Sequence, residues 1–190
     1  MIGLSGKRGA GKGTVAAFLS ELFPSAYDVV SFADPLKEIA AKLTGQPLSL
    51  FHSQAGKATF LPEWNLTAGE FLQKLGNGTR ETLHDEVWIK ASFASLNLEK
   101  KHIHESVRYP NEADVIRAYG GQVWRVEGDP LSQRGDGTRD DTHASETALD
   151  YYPHFDVTLY NRGTRAELYA QIRYHLGFID QPQRQLIFHV

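Results

Sequence analysis

The chain has 190 residues, enough for one domain with a sizeable core, and its formal net charge of −3 argues against a general nucleic-acid scaffold. It contains no cysteine, which excludes disulfides, thiolate metal sites and thiol catalysis and fits a reducing compartment. No stretch approaches the roughly 20 apolar residues of a membrane span, and the start lacks the pattern of an export signal. A soluble, cytoplasmic protein is therefore expected, with neither nucleic acid nor membrane as partner.

The chain opens on a short apolar run, read as a strand, followed by Gly6-Lys7-Arg8-Gly9-Ala10-Gly11-Lys12-Gly13-Thr14 and a helix through Val15 to Leu19. Strand, glycine loop and helix in this order make a phosphate cradle. Gly6, Gly9 and Gly11 let the loop curl at positive φ, and the helix N-terminus offers unpaired N–H groups and a positive dipole end to an anion. Lys12 would reach the outer phosphates as a point charge. The spacing fits the Walker A pattern, but Gly13 stands where that pattern has Ser or Thr, and the hydroxyl follows at Thr14. A magnesium ion would then be held by phosphates, waters and a carboxylate from elsewhere. The sequence Gly-Lys-Gly-Thr resembles the loop of nucleoside monophosphate kinases more than that of GTPases or motor ATPases.

Tyr27 to Phe32 is rich in β-branched and aromatic residues and predicts a second strand. Asp34 then reads as an N-cap before Pro35, opening a helix that ends at Thr44-Gly45. Residues 46–66 lose all periodicity and are read as an irregular insertion. Thr67 and Glu70 form a capping box for a helix whose apolar face is Phe71, Leu72 and Leu75, with Gly76-Asn77-Gly78 as its stop. A further helix begins at Asp85. Lys101 to Val107 is the third strand, and Asn111 caps a helix from Glu112 to Tyr119, which Gly120-Gly121 ends. Gln122 to Val126 and His154 to Tyr160 are strands, and Thr164 with Glu167 opens a last helix to Leu176. The polar segment 127–147 lies between two strands like a lid. Residues 1–176 thus form one domain, and 177–190 is an unassigned tail. Alternation of strand and helix predicts an α/β fold with a mostly parallel sheet.

Four motifs stand in order behind the loop: Ser31-Phe32-Ala33-Asp34-Pro35-Leu36-Lys37, Phe71 to Gly76, Val107-Arg108-Tyr109-Pro110-Asn111-Glu112-Ala113, and Asp141-Thr142-His143-Ala144-Ser145-Glu146. Together they resemble the bacteriophage deoxynucleoside monophosphate kinases over most of the chain. The resemblance implies a P-loop kinase fold, with the γ-phosphoryl of ATP passing to a deoxynucleoside monophosphate in the presence of Mg²⁺ (in the host cytoplasm if phage-encoded), and it leaves a homodimer open. It places ATP phosphates at Gly9, Ala10, Gly11, Lys12, Gly13 and Thr14, and the acceptor at Gln73, Gly76, Trp88, Arg108 and Glu112. Two positions depart from the family pattern. Ser106 stands where an Asp is common, and Glu105 replaces it only through a bulge or register change, because adjacent strand residues face opposite ways. Gly69 stands where some relatives have a basic residue.

Phosphoryl transfer asks for positioning and converging cations. Lys12 is the first. Arg108, at the carboxyl end of a strand, would read the acceptor phosphate bidentately, with a surface ion pair to Glu112 as the plainer reading. Arg134 and Arg139 would close over the transferred group, or else pair with Asp136, Asp140 and Asp141. Arg80 is a further candidate cation. Asp34 would orient the acceptor or a metal-bound water, Gln73 a base edge, and Trp88 would stack on a base or sit in the core. His143 and Glu146 would brace the lid by a mutual hydrogen bond. The histidines lack zinc-ligand spacing. The rival readings are another small-acceptor kinase of the dephospho-coenzyme A kinase type, and a nucleotide-binding switch or ATPase.

Overall fold

The computed structural model describes residues 1–97, 99–132 and 141–178. Strand β1 (Ile2–Ser5) leads into α1 (Lys12–Leu22), β2 (Tyr27–Val30) and α2 (Asp34–Thr44). A string of short pieces follows: a 3₁₀ turn at Leu48–Phe51, α3 (Gln54–Lys57), β3 (Phe60–Leu61), a second 3₁₀ turn at Pro62–Trp64, and β4 (Leu66–Thr67). Helices α4 (Ala68–Thr82) and α5 (Val87–Ser95) precede β5 (Lys101–Val107), α6 (Pro110–Ala118) and β6 (Gln122–Glu127). The described part of the chain closes with α7 (Ala144–Thr147), β7 (Val157–Tyr160) and α8 (Arg165–His175). The main sheet has the order β2-β5-β1-β6-β7, and every neighbouring pair in it is parallel. This is the expected α/β fold. None of the helices among the described residues is long and apolar enough to cross a membrane.

Because β1 is central, both of its faces are covered and all four of its residues are buried. One side packs Leu4, Val15, Leu19, Leu168 and Ile172 around Trp124, and the other packs Ile116, Val107, Val123 and Phe32. A third cluster, Ala40, Phe51, Leu61, Ala68 and Phe71, joins α2 and α4 to the segment 46–66. That segment is therefore not irregular. It folds into elements of two to four residues, too short to carry a hydrophobic period, around the fully buried Phe51.

Three further expectations are corrected. Gly76-Asn77-Gly78 does not stop α4, which continues to Thr82. Tertiary contact overrides propensity here: a Cβ on Gly76 would sit 3.1 Å from Leu36, and its carbonyl accepts the Trp88 indole N–H at 3.1 Å, so glycine serves close packing within the helix. Asn111 does not cap α6. Pro110 is already the first helical residue, and the Asn111 amide donates to Asp85 instead. Asp34 is the first helical residue rather than the cap.

The low apolarity of β5 has a local explanation. His102 and His104 are both buried, and the His104 ring stacks on Phe32 with centroids 4.5 Å apart. Burial pushes the His104 imidazole down to about 4, so it packs as a neutral ring.

Candidate functional site

The glycine loop leaves the carboxyl end of β1 with Gly6, Gly9 and Gly11 at φ of 148°, 76° and 101°. The left-handed turns are thus built at the positions the sequence supplies with glycine. Asn161, just past β7, donates to the Ala10 carbonyl at 2.9 Å and lies against Gly11, where a Cβ would come within 2.3 Å of its amide nitrogen. Sequence reasoning missed this brace, since an Asn after a strand carries no distinguishing pattern. The Lys12 ammonium folds back over the loop to the carbonyls of Gly6, at 2.6 Å, and Lys7, at 3.0 Å. Gly13 is exposed, and the Thr14 hydroxyl makes no hydrogen bond among the described residues.

Beside the loop, at the carboxyl ends of β2 and β5, lies a cavity. Gln73, Gly76, Arg80, Trp88, Arg108 and Glu112, six candidate acceptor residues from three helices and the end of β5, all line it. The continuation of α4 explains part of this: Gln73, Gly76, Asn77 and Arg80 fall at intervals of three and four on one helical face. The loop residues, Lys12 included, do not line this cavity, and neither does Asp34. The Asp34 carboxylate instead accepts the Ser31 N–H and pairs with Lys37, each at 2.8 Å, and Lys37 is the residue on the cavity wall. Asp34 therefore aims a lysine. Arg134 and Arg139 fall outside the described residues.

Two buried carboxylates organise the arginines. Glu112 is 2% exposed; one oxygen meets the Arg80 guanidinium at 2.5 Å, and the other accepts the backbone N–H groups of Arg108, at 2.7 Å, and Tyr109. Burial pushes the Glu112 carboxyl up, and Arg80 opposes that shift. The expected ion pair between Arg108 and Glu112 does not form. The Arg108 guanidinium turns to Glu146, at 2.7 Å, and its Nε donates to Ser106 at 3.1 Å. The His143 and Glu146 side chains take different partners: His143 Nε2 meets Asn77 at 2.9 Å and its Nδ1 side faces Ser145, and the bond that joins the two residues runs from the Glu146 backbone N–H to the His143 carbonyl, at 2.8 Å. Trp88 is 4% exposed, with its indole N–H committed to Gly76, so it forms wall rather than a mobile stacking plate.

The cavity also contains residues with no sequence signal of their own. Lys57 comes from the segment 46–66, and its backbone packs against Gly69, where a Cβ would stand 3.2 Å from the Lys57 carbonyl. Lys57 thus adds a lysine to the cavity lining from a segment next to position 69. His52 lies 3.5 Å from Lys37 and is held below its usual range by burial first and then by that lysine. Between β1 and β5 the register passes from Gly3 opposite His104 to Ser5 opposite Val107, two steps on one strand against three on the other. This bulge brings both Glu105 and Ser106 to the cavity wall, although consecutive residues of a regular strand face apart. Glu105 makes no hydrogen bond or ion pair among the described residues. No cluster of three or more His, Asp or Glu suited to a metal ion occurs among them. Glu105, on the cavity wall, and Thr14, at the start of α1, both have oxygens without a hydrogen-bond partner among the described residues.

No family model matches the chain. A curated protein of Acanthamoeba polyphaga mimivirus, named "Putative deoxynucleotide monophosphate kinase", is 29% identical over 188 residues, covering 90% of this chain and 93% of its own length. That relative belongs to a giant virus, not to a bacteriophage. The solved structure of TT1252 from Thermus thermophilus covers 95% of this chain and 97% of its own at 16% identity, with a TM-score of 0.46.

Proposed function

We propose that the protein is a deoxynucleoside monophosphate kinase, transferring the γ-phosphoryl of ATP to a dNMP to give dNDP and ADP. The observation that carries this reading is the cavity beside the glycine loop, where Lys37, Lys57, Arg80 and Arg108 line the wall together with the amide of Gln73. A cationic pocket adjoining a phosphate cradle suits a second, smaller phosphate ester. The name of the viral relative agrees with it.

In this reading the loop amides hold the donor phosphates and exclude water from one side. Lys12 exchanges its two carbonyl partners for phosphate oxygens, a short movement of its terminal bonds. Arg108 draws the acceptor phosphate toward the loop. Gln73, whose amide has no hydrogen-bond partner among the described residues, meets a base edge. Magnesium would neutralise the donor phosphates, with Glu105 and Thr14 as the protein oxygens proposed to hold it. Direct in-line attack by a phosphate oxygen needs no strong base, so the protein's work is alignment and charge compensation.

The test is ADP release from ATP and Mg²⁺ with the four dNMPs, their ribose counterparts, dephospho-coenzyme A and no acceptor. Release that depends on a dNMP is expected. Acceptor-independent turnover would replace this reading with an ATPase, and response to dephospho-coenzyme A alone would replace it with the other kinase.

A further inference from the structure

We infer that Glu146 is a positioning residue that fixes Arg108 relative to the glycine loop, an inference resting on the acceptor role proposed for that arginine. Its side chain is 2% exposed. One oxygen accepts the backbone N–H of Arg8, inside the loop, at 2.8 Å, and the other takes Nη1 of Arg108 at 2.7 Å. A single buried carboxylate therefore joins the donor loop to the arginine at the end of β5. Few positions could do this, because the two partners lie a hundred residues apart in sequence.

The guanidinium is held on two of its three nitrogens. Nε donates to Ser106, and Nη1 donates to Glu146 and to the Ser145 carbonyl, the latter at 3.2 Å, while Nη2 has no partner among the described residues. Because the group is planar and rigid, fixing two nitrogens fixes the third, which is left to a phosphate oxygen. Ser106 is thus an acceptor for Arg108. The clamp is itself anchored: Asp141 pairs with Arg8 at 3.1 Å, Asp150 with Lys7 at 2.8 Å, and His143 with Asn77. Glu146 cannot follow a wandering arginine without breaking these ties.

A carboxylate that merely stabilises the fold and one that aims Arg108 differ in how their loss combines with loss of the arginine. Glu146→Gln keeps the shape, but its NH₂ confronts either the Arg8 N–H or Arg108 donor to donor. The measurement is kcat and acceptor KM for Glu146→Gln, Arg108→Ala and the double variant, with Asp150→Asn in both backgrounds as the comparison. Glu146→Gln is expected to lower kcat by about 30-fold in the native background and by only about twofold once Arg108 is Ala, the non-additivity of contacting residues. Asp150→Asn should act by the same factor in both backgrounds. An equal factor for Glu146→Gln in both would overturn the inference. If Glu146→Gln shows no cooperative thermal melt, Glu146→Asp, which keeps the charge and shortens the reach, is put through the same cycle. If the native protein phosphorylates no dNMP, the functional reading fails by itself. The clamp is then read from dTMP and inorganic phosphate binding by calorimetry, with the same non-additivity expected and its absence decisive against the clamp.

Discussion

The two halves of the site are built in opposite ways. The donor loop is contiguous: nine residues from Gly6 to Thr14 contain the glycines, the lysine and the helix start, and the backbone supplies most of what an anion would touch. The acceptor cavity is assembled from α2, α3, α4, α5, β5, α6 and the segment after residue 140, and is held by buried charges. A contiguous cradle can lose a side chain and keep its shape. A cavity braced by ion pairs ties its chemistry to its stability.

Lys12→Ala gives the largest expected effect on turnover. The lysine is half-buried and its ammonium meets the carbonyls of Gly6 and Lys7 within its own loop, so its removal should leave the unfolding midpoint nearly unchanged while transition-state stabilisation falls by about 3–4 kcal/mol. Steady-state kinetics beside a thermal melt check both parts. Near-native turnover would remove Lys12 from the chemistry; a collapsed melt would show that the loop is not self-supporting.

Glu112→Gln should behave the other way. It leaves the Arg80 guanidinium, whose side chain is 8% exposed and stacked 4.1 Å over the Tyr109 ring, as a buried charge with only the exposed Asp85 carboxylate, at 4.0 Å, in ion-pair range. Breaking one side of such a pair costs about 3–5 kcal/mol of stability, whereas replacing both partners costs much less. Urea unfolding of Glu112→Gln and of Glu112→Gln with Arg80→Met measures this, and recovery of most of the loss in the double variant is expected. Equal loss in both would mean that Glu112 acts through its bonds to the backbone of Arg108 and Tyr109 rather than through Arg80.

The same contrast explains what the sequence made legible. The alternation of strand and helix, the glycine loop and the helices opened by Thr67 and Thr164 follow from local signals, and the two capping boxes are present as read. The partners of Arg108 were not legible. Glu112 lies four residues away and looks like the natural counterion, but Arg80, on a helix whose apparent stop is only a packing contact, occupies it first. Lys37 ended the first motif without a role of its own and Lys57 carried no motif, because a lysine becomes a cavity residue only when another element closes over it. The bulge in β5 was visible only as an odd spacing, an acid one residue early, and nothing in a single sequence says which strand will absorb an extra residue.

The smallest predicted effect tests the cradle most directly. Gly13 is the second residue of α1, exposed and without positive φ, and beyond its chain neighbours and its own helix backbone nothing among the described residues lies within 4 Å of where its Cβ would be. By helix propensity alone alanine is better there by about 0.8–1 kcal/mol, less the smaller weight of a terminal position. The folded protein therefore gives no reason for glycine, and close approach of backbone to a ligand gives one. Gly13→Ala should raise the urea midpoint while weakening donor-analogue binding severalfold and leaving acceptor binding untouched. The two signs are opposed for a physical reason: the methyl group fills solvent in the free protein and crowds a phosphate in the bound one. Unchanged donor affinity with raised stability would mean that phosphates do not reach the start of α1, and the loop would then have to be read as a tight turn beside a cationic pocket.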